Sequence, residues 1–210
     1  MPNPTELQWL SLWNRLGAKG DPHAIYLDLL TRYSEPHRKY HNFEHIEQCL
    51  VELEEVKHLT PNSDIIEFAL WFHDCVYDTH ANDSEEQSAS VASLIARQTG
   101  LSENFVKTVE DLIVATKHTS TSSDFDTQLI CDIDLTPLGQ VAAVFDQNSL
   151  NIRFEYQWVP KEDYVPGRIK ILETLLDRPT IYQTCYFWKK YENMARLNLS
   201  ISIAWLPYYP

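Results

Sequence analysis

The 210-residue chain is 44% hydrophobic and carries a formal charge of −13, which excludes a general binder of nucleic-acid backbone and leaves room only for a local basic pocket. No apolar run is long enough to span a bilayer and the polar N-terminus shows no signal-peptide pattern, so a cytoplasmic protein with no membrane partner is expected. Four cysteines, at 49, 75, 131 and 185, form no CxxC pair and read as reduced thiols filling a core.

Five glycines and long segments of 3.6-residue periodicity predict an all-α fold, a single domain over residues 1–210. Thr5 to Gln8 has the spacing of a capping box, ahead of a stripe of Leu7, Leu10, Trp13 and Leu16. Asp21-Pro22 reads as an N-cap with proline at the first helical position, and Ile25, Leu27, Leu29 and Leu30 carry that helix to about Tyr33. Nothing in these two helices looks chemical.

The segment from Arg32 to Ile46 differs, with three histidines and three basic residues gathered around Pro36. Asn42 is the expected N-cap of a helix through Ile46, Leu50, Leu53 and Val56. That cap sets His45 in the first turn, at the edge of the apolar stripe, and His41 just ahead of it. His37 reads as a surface residue. His41 and His45 read as ligand or catalytic groups, and Arg38 and Lys39 beside them suit an anion such as phosphate.

The run Ile65–Phe72 is apolar almost all round, which predicts a buried helix, and it ends in His73-Asp74. An imidazole and a carboxylate there need partners, because an unpaired buried charge is costly. A divalent cation is one such partner.

A polar loop, Thr79 to Ser88, then leads into a helix capped by Asp83 or Ser84 and ended by Gly100, with Val91, Leu94 and Ile95 expected inward. Its acids, Glu85 and Glu86, complement the helix dipole, or Glu85 overhangs the metal site. The next helix, from Ser102, turns Phe105, Val109, Leu112 and Ile113 inward. Lys117 and His118 at its end satisfy the last carbonyls or point into the pocket that holds His73.

Asp132 and Asp134 sit inside the otherwise apolar stretch Leu129–Gly139 and call for a cation or several hydrogen-bond donors, so one or both close the ligand set. The last third is helical and aromatic, over Leu150–Tyr156, Asp163–Leu176 and Thr180–Leu199. Arg153, Arg168 and Arg196 read as ties between helices, with a pocket role open for Arg153. The apolar tail from Ile201 to Pro210 packs back on the domain or on a partner chain.

His45, His73-Asp74 and Asp134 together resemble the H…HD…D signature of the HD superfamily of metal-dependent phosphohydrolases. Tyr40-His41-Asn42-Phe43-Glu44-His45 is similar to the YHNxxH motif of the related cyclic-nucleotide phosphodiesterases. Nearly the whole chain resembles a bacterial group of predicted HD phosphohydrolases labelled as NMDA-receptor-subunit-like, through EPHRxYHNxxHI, WFHDxVYD, TKH, DxDL, RxEY and ARxNL.

The resemblance implies an HD-type helical domain with His45, His73, Asp74 and Asp134 as metal ligands. It implies His41 as the catalytic acid or a phosphate contact. Glu85 is a second catalytic candidate, and Arg38, Lys117, His118 and Arg153 are candidate substrate contacts. One or two divalent ions (Mn, Mg, Fe, Zn or Ni) and hydrolysis of a phosphate ester, a nucleotide among the candidates, are expected; an oligomer is compatible with the sequence. Such motifs specify a fold and a metal better than a substrate. Alarmone hydrolases carry HDxxED, whereas Cys75-Val76-Tyr77-Asp78 follows here, which speaks against that substrate. A di-iron oxygenase needs more histidines than the His80 and His118 found between the HD pair and Asp134. A metal-stabilised module that senses a nucleotide or binds a protein is the non-catalytic alternative.

Overall fold

The computed structural model describes residues 3–208 and is all-α, with ten α-helices, three short 3₁₀ turns and no strand among them. No helix among these residues is long and apolar enough to cross a membrane. The chain divides into two compact units, Met1–Ile130 and Cys131–Pro210.

In the first unit, α1 (Pro4–Leu16) starts two residues earlier than the capping-box spacing suggests. Asn3 is the cap, its side-chain oxygen accepting the Glu6 N–H at 2.7 Å, and Pro4 takes the position where no N–H is needed. The buried stripe is therefore Trp9, Leu12 and Trp13, and Leu7 faces water. Next, α2 (Pro22–Tyr33) begins at Asp21 as expected and buries Tyr26, Leu29 and Tyr33. After it come α3 (Phe43–Val56), α4 (Ser63–Phe72), α5 (Ser84–Gln98) and α6 (Glu103–Ala115).

The centre of this unit is α4, which packs against α1, α3, α5 and α6. Its residues Ile66, Phe68, Ala69, Leu70, Trp71 and Phe72 are all buried, as a helix apolar on every side must be. Trp9 lies edge-on to Trp71 with centroids 5.4 Å apart, and Tyr26 and Phe43 close around the same indole. The α5 face differs from expectation. Ala89, Ala92, Ser93 and Ala96 turn inward, while Leu94 is 54% exposed. Small side chains let α5 lie close against α6, which offers Phe105, Val109, Leu112 and Ile113.

One acid, Glu67, is buried on α4. Gln8 donates to it at 3.2 Å and Arg15 forms an ion pair with it. Burial pushes the Glu67 carboxyl up from its ordinary value, against the pull of Arg15. A carboxyl with a raised folded-state pKa favours the fold most when protonated, and that contribution is lost as pH rises through the folded pKa. Arg15→Met takes away the cation, so Glu67 rises further. Arg15 is 40% exposed, so the loss at pH 7.5 should be only about 1–2 kcal/mol. It should shrink by pH 4.5, where Glu67 takes a proton. Urea melts of both proteins at the two pH values measure this, and an equal gap at both would contradict it.

In the second unit, α7 (Phe125–Asp134), whose first residues precede Cys131, is followed by a 3₁₀ turn, Thr136–Gly139, then by α8 (Ala142–Glu155), α9 (Lys161–Leu176) and α10 (Cys185–Trp205). The 3₁₀ turn packs on α10 so closely that a Cβ at Gly139 would lie 2.5 Å from Cβ of Tyr191. Buried acids organise the chain between α9 and α10. Asp132 accepts the N–H groups of Gln183 and Thr184 at 2.8 and 2.7 Å, and Glu192 accepts those of Ile181 and Tyr182. Arg196 pairs with Glu192 and donates to the carbonyls of Leu176, Arg178 and Pro179, the tying role expected of it. Of the apolar tail, Trp205 and Tyr208 are exposed; Tyr209 and Pro210 lie outside the described residues.

Candidate metal centre

The Asn42 side chain accepts the N–H of Glu44 at 2.9 Å and of His45 at 3.4 Å, and so fixes the first turn of α3. That turn aims the buried His45 ring at the far end of α4. There the helix stops at Phe72, and His73 and Asp74 occupy the turn that follows. The ring nitrogens His45 Nε2 and His73 Nε2 are 3.3 Å apart. Asp74 Oδ2 lies 3.2 Å from His73 Nε2 and 3.8 Å from His45 Nε2. Ligands about 2.1 Å from one ion stand about 3.0–3.4 Å from each other, so these three atoms have nearly the spacing of a metal's first shell.

The donor chemistry fits as well. Nδ1 of His73 is 2.8 Å from the Leu70 carbonyl, which can only accept. In the neutral ring the hydrogen therefore sits on Nδ1, and Nε2 presents its lone pair, the arrangement typical of a metal-binding histidine. Nε2 of His45 and Oδ2 of Asp74 stand beside that lone pair, so the three atoms form a donor set of the kind a divalent cation takes. Both histidines are buried, while the Asp74 side chain keeps 14% of its surface open. Cys49, one turn after His45 on α3, brings its sulfur to 3.8 Å from His45 Nε2. With His45 and His73 it offers ligand atoms within 4.8 Å of one another, so this group could hold a metal ion. Cys49 was read from sequence as core filling; its i, i+4 spacing from His45 is the signal that marks it.

Around this group, Tyr40 stacks on His45 with centroids 5.3 Å apart. The half-buried His41 stacks on Tyr77 at 4.0 Å and has its ring centroid 6.3 Å from that of His45. Arg38 is buried between the rings of Tyr33 and Tyr77. Its Nε pairs with Glu35, and its Nη atoms donate to the main-chain carbonyls of His41, Asp74 and Cys75. This guanidinium splints the site from behind. Four of its five N–H groups are taken up by the protein, which leaves little of the fork for the phosphate contact expected of it.

Ser88 receives the Val76 N–H at 3.0 Å and donates to the Val76 carbonyl at 3.2 Å, pinning the loop after Asp74 to α5. Burial pushes the Cys75 thiol up to about 12, which keeps it protonated and unreactive.

Glu85 stands half-buried in the first turn of α5, 4.0 Å from Lys117 Nζ. Lys117, just past α6, binds Glu86 at 2.6 Å and the Asn82 carbonyl at 2.7 Å. Glu86 raises its pKa, so both acids of this turn face a lysine. His118 is the one non-glycine residue with positive φ among those described, at 56°, and its N–H closes the end of α6 on the Ala115 carbonyl. Asp134 ends α7, and Arg153 lies on α8, both within the second unit. Asp132, the other acid of that stretch, has the hydrogen-bond donors that the sequence left open as its alternative to a cation. Compared with known proteins, the chain matches no family, no curated relative and no solved structure.

Proposed function

We propose that the chain is a metal-dependent phosphohydrolase that cleaves a phosphate ester. The observation that carries this reading is the convergence of His45 Nε2, His73 Nε2 and Asp74 Oδ2 within 3.8 Å of each other. Two imidazoles with carboxylate favour Mn, Fe, Ni or Zn over Mg. Asp134, an acid in an otherwise apolar stretch at the end of α7, is the further ligand that the H…HD…D resemblance implies. A divalent ion held there supplies Lewis acidity toward a phosphoryl oxygen and acidifies bound water.

The protein's own groups then divide the remaining work. His41, held against Tyr77 on the histidine side of the centre, gives the proton to the leaving oxygen. Arg38 acts through the carbonyls of Asp74 and Cys75 to fix the ligand turn. Asp74, the most open of the three ligands, marks the side from which substrate and water arrive. Glu85 is the candidate base, and His118 the candidate phosphate contact after α6.

Elemental analysis of the purified full chain, followed by a nucleotide and phosphoester panel with Mn²⁺, tests this. Bound or readily acquired metal should appear, with hydrolysis of at least one ester that EDTA removes and Mn²⁺ restores. Failure to take up Mn²⁺ or Zn²⁺ at micromolar concentration would sink the metal centre. Metal uptake without turnover of any ester would instead leave a non-catalytic metal-stabilised module.

A further inference from the structure

The second unit holds a cavity of about 580 Å³, a volume suited to a small organic molecule. Two of its walls follow one helical rule. On α8 it is lined by Asp146, Ser149, Leu150 and Arg153, and on α9 by Lys161, Tyr164, Val165 and Arg168. In both helices these are positions i, i+3, i+4 and i+7, one face each, and each face ends in an arginine. The third wall, from α10 and the turn after it, brings Ile201, Trp205 and Tyr208.

The charge of these walls runs against that of the protein. Three cations face one carboxylate, Asp146, in a chain of net charge −13. Arg168 is half-buried and makes no hydrogen bond or ion pair among the described residues. Arg153 lies over the Tyr164 ring at 4.4 Å; it donates to the carbonyls of Tyr156 and Val159 and keeps its other N–H groups. Burial pushes the Tyr164 phenol up from its ordinary value, and the guanidiniums of Arg168 and Arg153 pull it back. Unpaired guanidinium in a half-closed space suits an oxyanion, which it grips by two parallel hydrogen bonds. The apolar remainder, with the Trp205 indole 61% exposed at the rim, suits a flat ring.

We infer that this cavity is a binding site for a small organic anion with a planar aromatic body, its phosphate or carboxylate held by Arg168 and Arg153 and its ring against Trp205. The site uses none of the metal-centre residues, so it stands or falls independently of the hydrolase reading.

Titration calorimetry on the full chain in EDTA tests it, with AMP as the aromatic phosphate and indole-3-acetate as the aromatic carboxylate. Adenosine and inorganic phosphate serve as the two half-ligands. At least one aromatic anion should bind, and the half-ligands should bind about tenfold more weakly or worse, since adenosine lacks the charged hydrogen bonds and inorganic phosphate lacks the ring. Arg168→Met should lower the affinity for that anion by about tenfold or more with an unchanged melting temperature. AMP alone binding, or indole-3-acetate alone, decides between phosphate and carboxylate, and either supports the site. Trp205→Ala should also weaken binding, and it provides a second variant should Arg168→Met fold poorly. No binding of either anion, binding of phosphate as tight as AMP, or full affinity in both variants would overturn the inference.

Discussion

Asp74→Asn should abolish metal-dependent hydrolysis while leaving the metal-free protein as stable as before. The amide keeps the shape of the carboxylate but is neutral and a poorer ligand, so affinity for the ion falls with it. The rate should drop about a thousandfold or more, because Lewis-acid stabilisation is worth several kcal/mol and each 1.4 kcal/mol is about tenfold. Stability in EDTA should change by less than about 1 kcal/mol, or rise, because a largely buried carboxylate charge is replaced by a neutral amide. Arg38 reaches Asp74 through its main-chain carbonyl, which asparagine retains. The competing account makes Asp74 a structural acid paired with protonated His73 or His45, at 3.2 and 3.8 Å. In that case the variant melts several degrees lower in EDTA and responds to Mn²⁺ as the parent does. Thermal melts of the two proteins with EDTA and with Mn²⁺ distinguish the accounts.

What the sequence made legible is what local chemistry determines. The Asn42 cap, the position of His45 three residues later and the all-round burial of α4 are short-range consequences of residue type, and they bring His45 to His73-Asp74. Where the sequence misled, the missing term was distant or lay in the backbone. Ranking by size sent Leu94 into the core, but a close α5–α6 approach selects the alanines instead. Asp132 and Asp134 look alike from sequence. The donors that answer Asp132 are main-chain N–H groups 51 and 52 residues further on, and no residue pattern announces them. Lys117 looked like a phosphate contact because its partner Glu86, 31 residues away, was being read separately as a dipole complement. The cavity on α8 and α9 is written in the i, i+3, i+4, i+7 spacing of its lining, but reading each arginine singly as a helix tie hides it.

Arg38→Met should cost about 3 kcal/mol or more of stability with no ligand present. A basic residue beside an HD pair suggests substrate binding, yet this guanidinium is buried between two tyrosine rings and donates to three main-chain carbonyls. Methionine fills most of the space but removes those three hydrogen bonds and the pairing with Glu35, and a lost hydrogen bond from a charged donor costs about 1.5–3 kcal/mol. Arg38→Lys should rescue little, because one ammonium cannot span carbonyls that a planar fork reaches together. Two of those carbonyls belong to Asp74 and Cys75, so the ligand turn should loosen and the affinity for metal should fall as well. A substrate contact predicts the reverse pattern: a raised KM, an unchanged melt in EDTA and unchanged affinity for the ion. Denaturant melts in EDTA and a Mn²⁺ titration of the variant read the two patterns separately. An Arg38→Met protein as stable as the parent, with only KM altered, would return Arg38 to the substrate.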